Sequence, residues 1–153
     1  MKLKKISIQN SPIFLSREEA IKSCFGNSIS IPQQIAQVNT KDGCDAWLCK
    51  SEYVANDGAI RSGSNSANWK NHFEKEGKII ISWLYEDEPA HVSGTQPELS
   101  KVANPLHCFW CENPKAISYQ YMGTFLEDLN ATRTRKRIYR LIREEIDLSP
   151  WQD

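Results

Sequence analysis

Residues 106–125 read LHCFWCENPKAISYQYMGTF, and this stretch decides the fold because two strand-like runs flank a turn. The first run, 106–111, is almost wholly apolar, and the second, 117–125, alternates aromatic with polar residues, as strands do. Asn-Pro-Lys at 113–115 is typical of a turn. The stretch therefore predicts a β-hairpin late in the chain.

Other strand patterns and a helix start precede this hairpin. Residues 78–85, KIIISWLY, are mostly β-branched and aromatic and predict the strongest strand of the chain. Ser16 and Glu19 have the capping-box spacing that begins a helix, and Gly26 is placed to end that helix. Weaker strand patterns lie at 4–8 and 46–54.

Two segments predict further helix. Residues 69–75 predict one helical turn, and residues 132–147 predict a closing helix. The apolar stripe of that closing helix consists of Ile138, Leu141, Ile142 and Ile146. A helix, a run of strands and a final helix predict an α+β fold with an antiparallel, partly closed sheet and helices at one side. The 153 residues fit a single domain, 1–153.

Composition narrows the class of protein. Nineteen basic and nineteen acidic residues give a net charge of zero, which argues against a general nucleic-acid coat protein but allows a local basic face. No apolar stretch approaches the roughly 18 residues that span a bilayer. Five cysteines, an odd number, favour a reducing compartment over a disulfide scaffold. We therefore expect a soluble, cytoplasmic domain.

Motifs for chemistry are sparse. The sequence contains no phosphate-binding loop, no nucleotide fingerprint and no nucleophile motif, so binding is favoured over catalysis and no cofactor is expected. Four cysteines at paired spacings suggest a structural zinc site, but in strands residues three apart point to opposite faces, and small buried thiols are the alternative. The sequence leaves that choice open for Cys44, Cys49, Cys108 and Cys111.

The predicted last helix begins with a dense group of cations: Arg133, Arg135, Lys136 and Arg137. Cations at a helix N-terminus oppose the helix dipole, and the acids of this segment lie at its far end, where they oppose it as well. A bound phosphate would relieve the repulsion at the basic end. The alternative is that apolar packing holds the helix while the cations are solvated or paired.

Aromatic residues and two long polar segments, 56–68 and 86–105, provide a second indication of binding. Long loops in small domains are often functional, and the first of these runs directly into Trp69. Most of the aromatic rings are expected in the core. Trp69 and the strand residue Trp83 are the rings most suited to stacking on a base.

The segment 106–113, followed by Tyr-Gln-Tyr-Met-Gly-Thr-Phe at 119–125, resembles a pattern of PUA-like and SRA-like domains. In those domains a strand and a turn precede an aromatic Tyr-x-Tyr-x-Gly-x-Phe strand late in a bent β-barrel. Ala-Ile-Arg at 59–61 and Asn-Trp-Lys-Asn at 68–71 resemble their pocket-side loop. The likeness covers roughly residues 56–126.

This resemblance implies a bent, partly closed, PUA-like antiparallel β-barrel flanked by helices, which flips a modified base into an aromatic pocket. Such domains often serve modification-dependent restriction systems, usually fused to a nuclease. No nuclease accompanies the motif in this sequence, and the glycine-rich signature of the eukaryotic SRA group is absent. We therefore expect either a stand-alone reader or an excised domain with a fused or associated nuclease.

Three hypotheses follow, and the first is a reader of a modified base in double-stranded DNA. Its pocket residues would be Trp69, Trp83, Asp57 and Asn68, and its phosphate contacts Arg61, Arg133, Arg135, Lys136 and Arg137. The second is a nuclease or RNA-cleaving toxin that uses His72, His91 or the carboxylates at 86–88. The third is a protein-interaction module that docks through the last helix. The sequence does not decide which base is read, whether the nucleic acid is DNA or RNA, or what the oligomeric state is.

Overall fold

Eleven short strands and one α-helix make up the part of the chain that the structure, a computed structural model, describes: residues 3–31, 36–64, 68–88 and 104–152. In chain order they are β1 (Lys5–Ser7), α1 (Arg17–Phe25), β2 (Gln37–Asn39), β3 (Asp45–Lys50), β4 (Tyr53–Val54), β5 (Ile60–Arg61), β6 (Lys70–Glu74), β7 (Ile79–Trp83), β8 (Leu106–Cys111), β9 (Gln120–Glu127), β10 (Lys136–Arg143), β11 (Glu145–Asp147) and a 3₁₀ turn (Ser149–Trp151). None of these described helices is long and apolar enough to cross a membrane.

A seven-stranded sheet in the order β2-β3-β8-β9-β10-β7-β6 carries the fold. The predicted hairpin is confirmed as β8 and β9, which pair antiparallel. Strand β3, however, lies parallel to β8, so the sheet is mixed and not purely antiparallel as predicted. Two small sheets, β1 with β11 and β4 with β5, complete the strand pairs of the described residues.

The sheet is covered by apolar clusters on both faces. The first core includes Ile21 and Phe25 of α1, which pack against Phe109 and Tyr121 of the central hairpin. The helix begins as predicted, because the Ser16 hydroxyl accepts a hydrogen bond from the Glu19 amide at 3.0 Å. The second core lies on the other face and consists of Trp47, Cys49, Ile80, Leu106, Cys108, Trp110, Phe125 and Tyr139.

Ring contacts within the second core show that the sheet bends strongly. The ring centroids of Trp47 and Tyr139 lie 4.9 Å apart, and those of Phe73 and Trp110 lie 4.3 Å apart, although neither pair comes from neighbouring strands. Within the described ranges the edge strands β2 and β6 form no ladder with each other. The predicted barrel is therefore wrong in its closure: the sheet is bent but open.

The predicted C-terminal helix over 132–147 is wrong, because this segment forms β10 and β11. Strand alternation directs Ile138 towards Ile81 on one face, while Tyr139 enters the second core on the other. The predicted conflict between these cations and a helix dipole therefore does not arise, because the segment is not helical. Strand β10 lies between β9 and β7, so deleting residues 132–153 would break the sheet and could not identify a docking helix.

Other expectations are corrected more locally. Residues 69–75 form most of strand β6, not a helical turn, and the single strand predicted at 46–54 is divided into β3 and β4. The polar segment 56–68 contains the turn and second strand of the β4–β5 hairpin. Of the second polar segment, residues 89–103 lie outside the described residues. Among the described residues α1 is the single α-helix, so flanking helices are not seen.

We predict that Gly123→Ala destabilises the fold sharply. Gly123 has a φ of 121°, and an added Cβ would lie 2.4 Å from Cδ1 of Leu141. Strain and overpacking together should lower the unfolding free energy by about 3 kcal/mol. Urea denaturation measures this loss. Gly77 has a φ of 86° with nothing within 4 Å of an added Cβ, so Gly77→Ala is the matched control and should cost only about 1–2 kcal/mol. Equal losses would contradict a packing role for Gly123.

Candidate nucleic-acid interface

The register of three strands brings one end of the sheet together. Lys70 of β6 and Lys136 of β10 both lie directly opposite Trp83 of β7. Residues directly opposite each other in a sheet point to the same side. The start of β6, the end of β7 and the start of β10 therefore meet in one place. We call this place the aromatic end; it comprises Lys70, Trp83, Tyr85, Arg135 and Lys136.

Lys70 is the buried centre of the aromatic end. Its side chain is only 2% exposed, and its ammonium contacts the Glu88 carboxylate at 2.6 Å and the Asn68 carbonyl oxygen at 2.9 Å. The same ammonium lies 5.1 Å from the ring centroid of Trp83 and 4.4 Å from that of Tyr85. The carboxylate and the two rings compensate the desolvated charge. Lys70 thus fastens residues 68 and 88 to the sheet.

The indole of Trp83 is oriented by a second carboxylate. Its Nε1 donates a hydrogen bond to Oε1 of Glu52 at 2.9 Å, and Nδ1 of His72 lies 2.8 Å from the same oxygen. The ring of Tyr85 meets that of Trp83 edge-on at 4.9 Å. The Tyr85 hydroxyl accepts a hydrogen bond from the Ile60 amide at 3.2 Å, which ties the β4–β5 hairpin to this end of the sheet.

The structure describes all four predicted pocket residues. Trp83 belongs to the aromatic end. Asn68 is exposed and lies next to it, because its carbonyl oxygen accepts a hydrogen bond from Lys70. Trp69 is half-buried and lies immediately before Lys70, just outside strand β6.

Asp57, the fourth predicted pocket residue, stabilises the turn of the β4–β5 hairpin. One carboxylate oxygen accepts the Ala59 amide at 3.0 Å, and the other contacts Arg61 at 2.7 Å. The Ala59 hydrogen bond, aided by Arg61, lowers the pKa of Asp57 below its usual range. Arg61 is thus paired with a carboxylate, and both side chains remain exposed beside Ile60, whose amide contacts Tyr85.

The cationic run forms the turn between β9 and β10. Arg133 and Lys136 exchange backbone hydrogen bonds at 2.8 and 3.1 Å, which closes the turn. The Arg133 guanidinium donates to the carbonyl oxygens of Asn130 and Thr132, and that of Arg135 donates to the carbonyl oxygen of Tyr85 at 3.0 Å. Carbonyl oxygens carry no net charge, and no carboxylate of the described residues forms an ion pair with either arginine, so these contacts orient the two guanidinium groups without neutralising them.

Arg137 has a different role in the structure from its neighbours. Its guanidinium forms two parallel hydrogen bonds, of 2.8 and 2.9 Å, with the Glu127 carboxylate, which is 2% exposed. Burial acts to lower the pKa of Arg137, but the hydrogen bond to Glu127 and the electrostatic effects of Tyr139 and Glu127 together outweigh it, so the pKa is raised. Thr132 donates a further hydrogen bond to Glu127 at 3.1 Å. The pair holds the base of the basic turn to strand β9.

Among the described residues, those predicted for a nuclease and those predicted for a zinc site lie in different parts of the fold. His72 lies between the carboxylates of Glu52 and Glu74, whereas Glu88 pairs with Lys70 and His91 lies outside the described residues. Cys111 packs in the first core, but Cys49 and Cys108 pack in the second. Within the described ranges, the four cysteines considered for zinc do not form a common ligand group.

Glu52 and Tyr85 were missed at the sequence level. Lys70 was named only within the resemblance at 68–71, and Glu88 only among the carboxylates of the nuclease hypothesis. The pattern that could have indicated Lys70 is the hairpin of β6 and β7, in which a lysine lies directly opposite a tryptophan. That signal disappears when 69–75 is taken as helix, because helical spacing removes the cross-strand pair.

Comparison with known proteins gives one structural similarity to report. No protein-family model matches the chain, and no curated protein matches it in sequence. Among solved structures, the fold is similar to that of the 5-hydroxymethylcytosine-specific restriction enzyme AbaSI, with a TM-score of 0.62 and 15% sequence identity over 94% of this chain. The match covers 42% of the AbaSI chain, so this protein spans less than half of that enzyme. At this identity the likeness shows a shared fold.

Arg137 and Lys136 provide a matched pair of mutations. We predict that Arg137→Ala lowers the unfolding free energy by about 3 kcal/mol, because it leaves the buried Glu127 carboxylate without its partner. Lys136→Ala removes an exposed cation and should change stability by less than about 0.5 kcal/mol. Chemical denaturation of both variants measures the difference. Equal stability of the two would contradict a structural role for the Arg137–Glu127 pair.

Proposed function

We propose that this chain is a DNA-recognition domain that reads a modified cytosine in duplex DNA as part of a modification-dependent restriction system. The observation that carries the proposal is the shared register of Lys70, Trp83 and Lys136, which brings aromatic rings and the exposed cations of the β9–β10 turn to one end of one sheet. The fold likeness to an enzyme named for its specificity for 5-hydroxymethylcytosine supports the same class of ligand.

In this proposal the basic turn contacts the DNA backbone. Arg133, Arg135 and Lys136 lie together in the turn between β9 and β10, and the first two are oriented by backbone carbonyl groups. Oriented guanidinium groups suit phosphate oxygens and lose little conformational entropy on binding. Arg61 would contact a neighbouring phosphate from the β4–β5 hairpin, while Arg137 holds the turn in place through Glu127.

The base would be read beside Trp83. A base extruded from the duplex gains about 1–3 kcal/mol from stacking on an aromatic ring. The half-buried ring of Trp83 and the exposed ring of Tyr85 are the surfaces available for stacking at this end. Glu52 already orients the indole, and its carboxylate is the type of acceptor that suits the exocyclic amine of cytosine. Asn68 would contact the base edge, and Asp57 would shape the adjoining turn.

The chain would act as the recognition part of a larger system. Because it spans less than half of the restriction enzyme that it resembles, we assign strand cleavage to a fused or associated nuclease. The protein-interaction hypothesis loses its original basis, since the helix proposed to dock is an interior strand. The nuclease alternative is retained as an outcome of the binding experiment.

We predict that the chain binds a duplex with one 5-hydroxymethylcytosine at least about tenfold more tightly than the same duplex with cytosine, as expected when a specific base contact contributes about 1–3 kcal/mol. Fluorescence anisotropy with cytosine, 5-methylcytosine and 5-hydroxymethylcytosine duplexes, at about 50 and about 200 mM salt, measures both preference and salt dependence. Equal binding to all three duplexes would overturn the proposal. Cleavage of the duplex with Mg²⁺ in the same tubes would favour the nuclease alternative.

Two classes of variant separate backbone contact from base reading. Lys136→Gln with Arg133→Gln should weaken binding to all duplexes alike and reduce the salt slope by about one per cation. Trp83→Leu should remove the preference for the modified base while leaving the salt slope unchanged. Lys22→Gln removes an exposed cation of α1 and is the matched control, expected to bind as the unmutated chain does. A Trp83→Leu protein that folds and keeps its preference would exclude this ring from the pocket.

A further inference from the structure

A second polar cluster lies away from the aromatic end, where the turn between β2 and β3 meets the central hairpin. One carboxylate oxygen of Asp42, the sulfur of Cys44 and a ring nitrogen of His107 lie within 4.8 Å of one another. Asp42 and Cys44 come from the turn, and His107 comes from β8. Within the described residues this is the group of three side chains that offers metal-binding atoms at such distances.

The ring of His107 is held in a fixed orientation. The residue is 1% exposed, its ring stacks on Phe25 at 5.7 Å, and Nδ1 lies 2.8 Å from the Thr124 hydroxyl. Nε2 therefore faces Asp42, whose Oδ2 lies 3.1 Å away. A histidine that binds metal through one nitrogen commonly has its other nitrogen bonded to such an oxygen, which sets the tautomer and the ring angle.

Asp42 is oriented in the same way. Its Oδ1 accepts hydrogen bonds from the Cys44 amide at 3.1 Å and from the Thr40 hydroxyl at 2.5 Å. The Thr40 carbonyl oxygen in turn accepts the indole N–H of Trp151 at 2.9 Å, so the turn is fixed from both sides. These contacts commit Oδ1 to the protein and direct Oδ2 towards His107.

We propose that Asp42, Cys44 and His107 bind one zinc ion through Oδ2, Sγ and Nε2. Imidazole, thiolate and carboxylate are the zinc ligand types, whereas magnesium and calcium prefer oxygen ligands alone. Zinc–ligand bonds of about 2.0–2.3 Å require ligand atoms somewhat closer than 4.8 Å, so binding would draw the three side chains together. On binding, the Cys44 thiol releases one proton to solvent. Neutral His107 keeps its single ring proton, which lies on Nδ1 and is donated to the Thr124 hydroxyl oxygen when Nε2 binds the metal.

The charges of the site are compatible with a dication. A thiolate and a carboxylate balance the two positive charges of zinc, and His107 binds as a neutral ligand. The side chains of Arg143 and Asp45 also act on Cys44, and their opposite charges balance each other beside the assembled site. With three protein ligands, one coordination position stays open. Zinc would join the β2–β3 turn to the hairpin of β8 and β9, a different part of the sheet from the aromatic end.

The test is a metal titration of the whole chain after dialysis against a chelator. We expect calorimetry to give one zinc per chain, zinc to raise the melting temperature by about 5 °C or more, and magnesium to have no effect. Cobalt should produce the visible bands of a tetrahedral site together with a thiolate charge-transfer band. Absence of zinc binding in calorimetry, or a cobalt spectrum without the thiolate band, would overturn the proposal.

Variants assign the ligands. Asp42→Asn keeps an oxygen for Thr40 and the Cys44 amide, so it should fold while losing zinc affinity by about 100-fold. Cys44→Ala should abolish the cobalt–thiolate band, and circular dichroism confirms that each variant is folded. Cys49→Ala removes a buried thiol of the second core and is the matched control that should keep the metal. Loss of zinc from Cys49→Ala with retention in Cys44→Ala and Asp42→Asn would contradict this site. DNA binding is read separately, so failure here leaves the proposed function intact.

Discussion

The arrangement of this protein depends on the two ladders that strand β7 forms with β6 and β10. Trp83 lies between Lys70 and Lys136 because both ladders have their register at that residue. A slip of one residue in either ladder would turn every side chain of that strand to the other face. The apolar residues of the second core prevent such a slip, since Ile80, Phe73 and Tyr139 must stay on the inner face. Core packing thereby sets the positions of the exposed cations and rings.

Three pairs of buried or half-buried polar side chains join chain segments that the ladders alone would not hold. Lys70 with Glu88 fastens the chain after β7, Arg137 with Glu127 fastens the basic turn, and His107 with Asp42 fastens the β2–β3 turn. Such pairs contribute little net stability compared with apolar packing, but losing one partner is costly. Their value is therefore in specifying one conformation for the segments that they join.

The conflict in the cationic segment shows how far local reasoning reaches. Four cations at the start of a helix and acids at its end would oppose the dipole at both ends, and natural sequences seldom combine such contradictions. The structure removes the conflict because residues 136–143 are a strand. The apolar spacing of Ile138, Leu141 and Ile142 fits a helical stripe, but Ile138 and Tyr139 are buried on opposite faces of a sheet. Only an interior strand buries adjacent residues in this way.

The sequence by itself determined the elements whose signals are local. The hairpin around 113–115 and the capped helix α1 depend on turn residues, strand alternation and a capping hydroxyl, all of which act within a few residues. Trp83 and the cations of the β9–β10 turn were also recognisable from their type. Their mutual positions were decided only by the tertiary structure, because Lys70, Trp83 and Lys136 become neighbours through ladders between distant segments. The burial of Lys70 and the meeting of Asp42 with His107 have the same cause: long-range pairing depends on the complete core, which no short stretch of sequence contains.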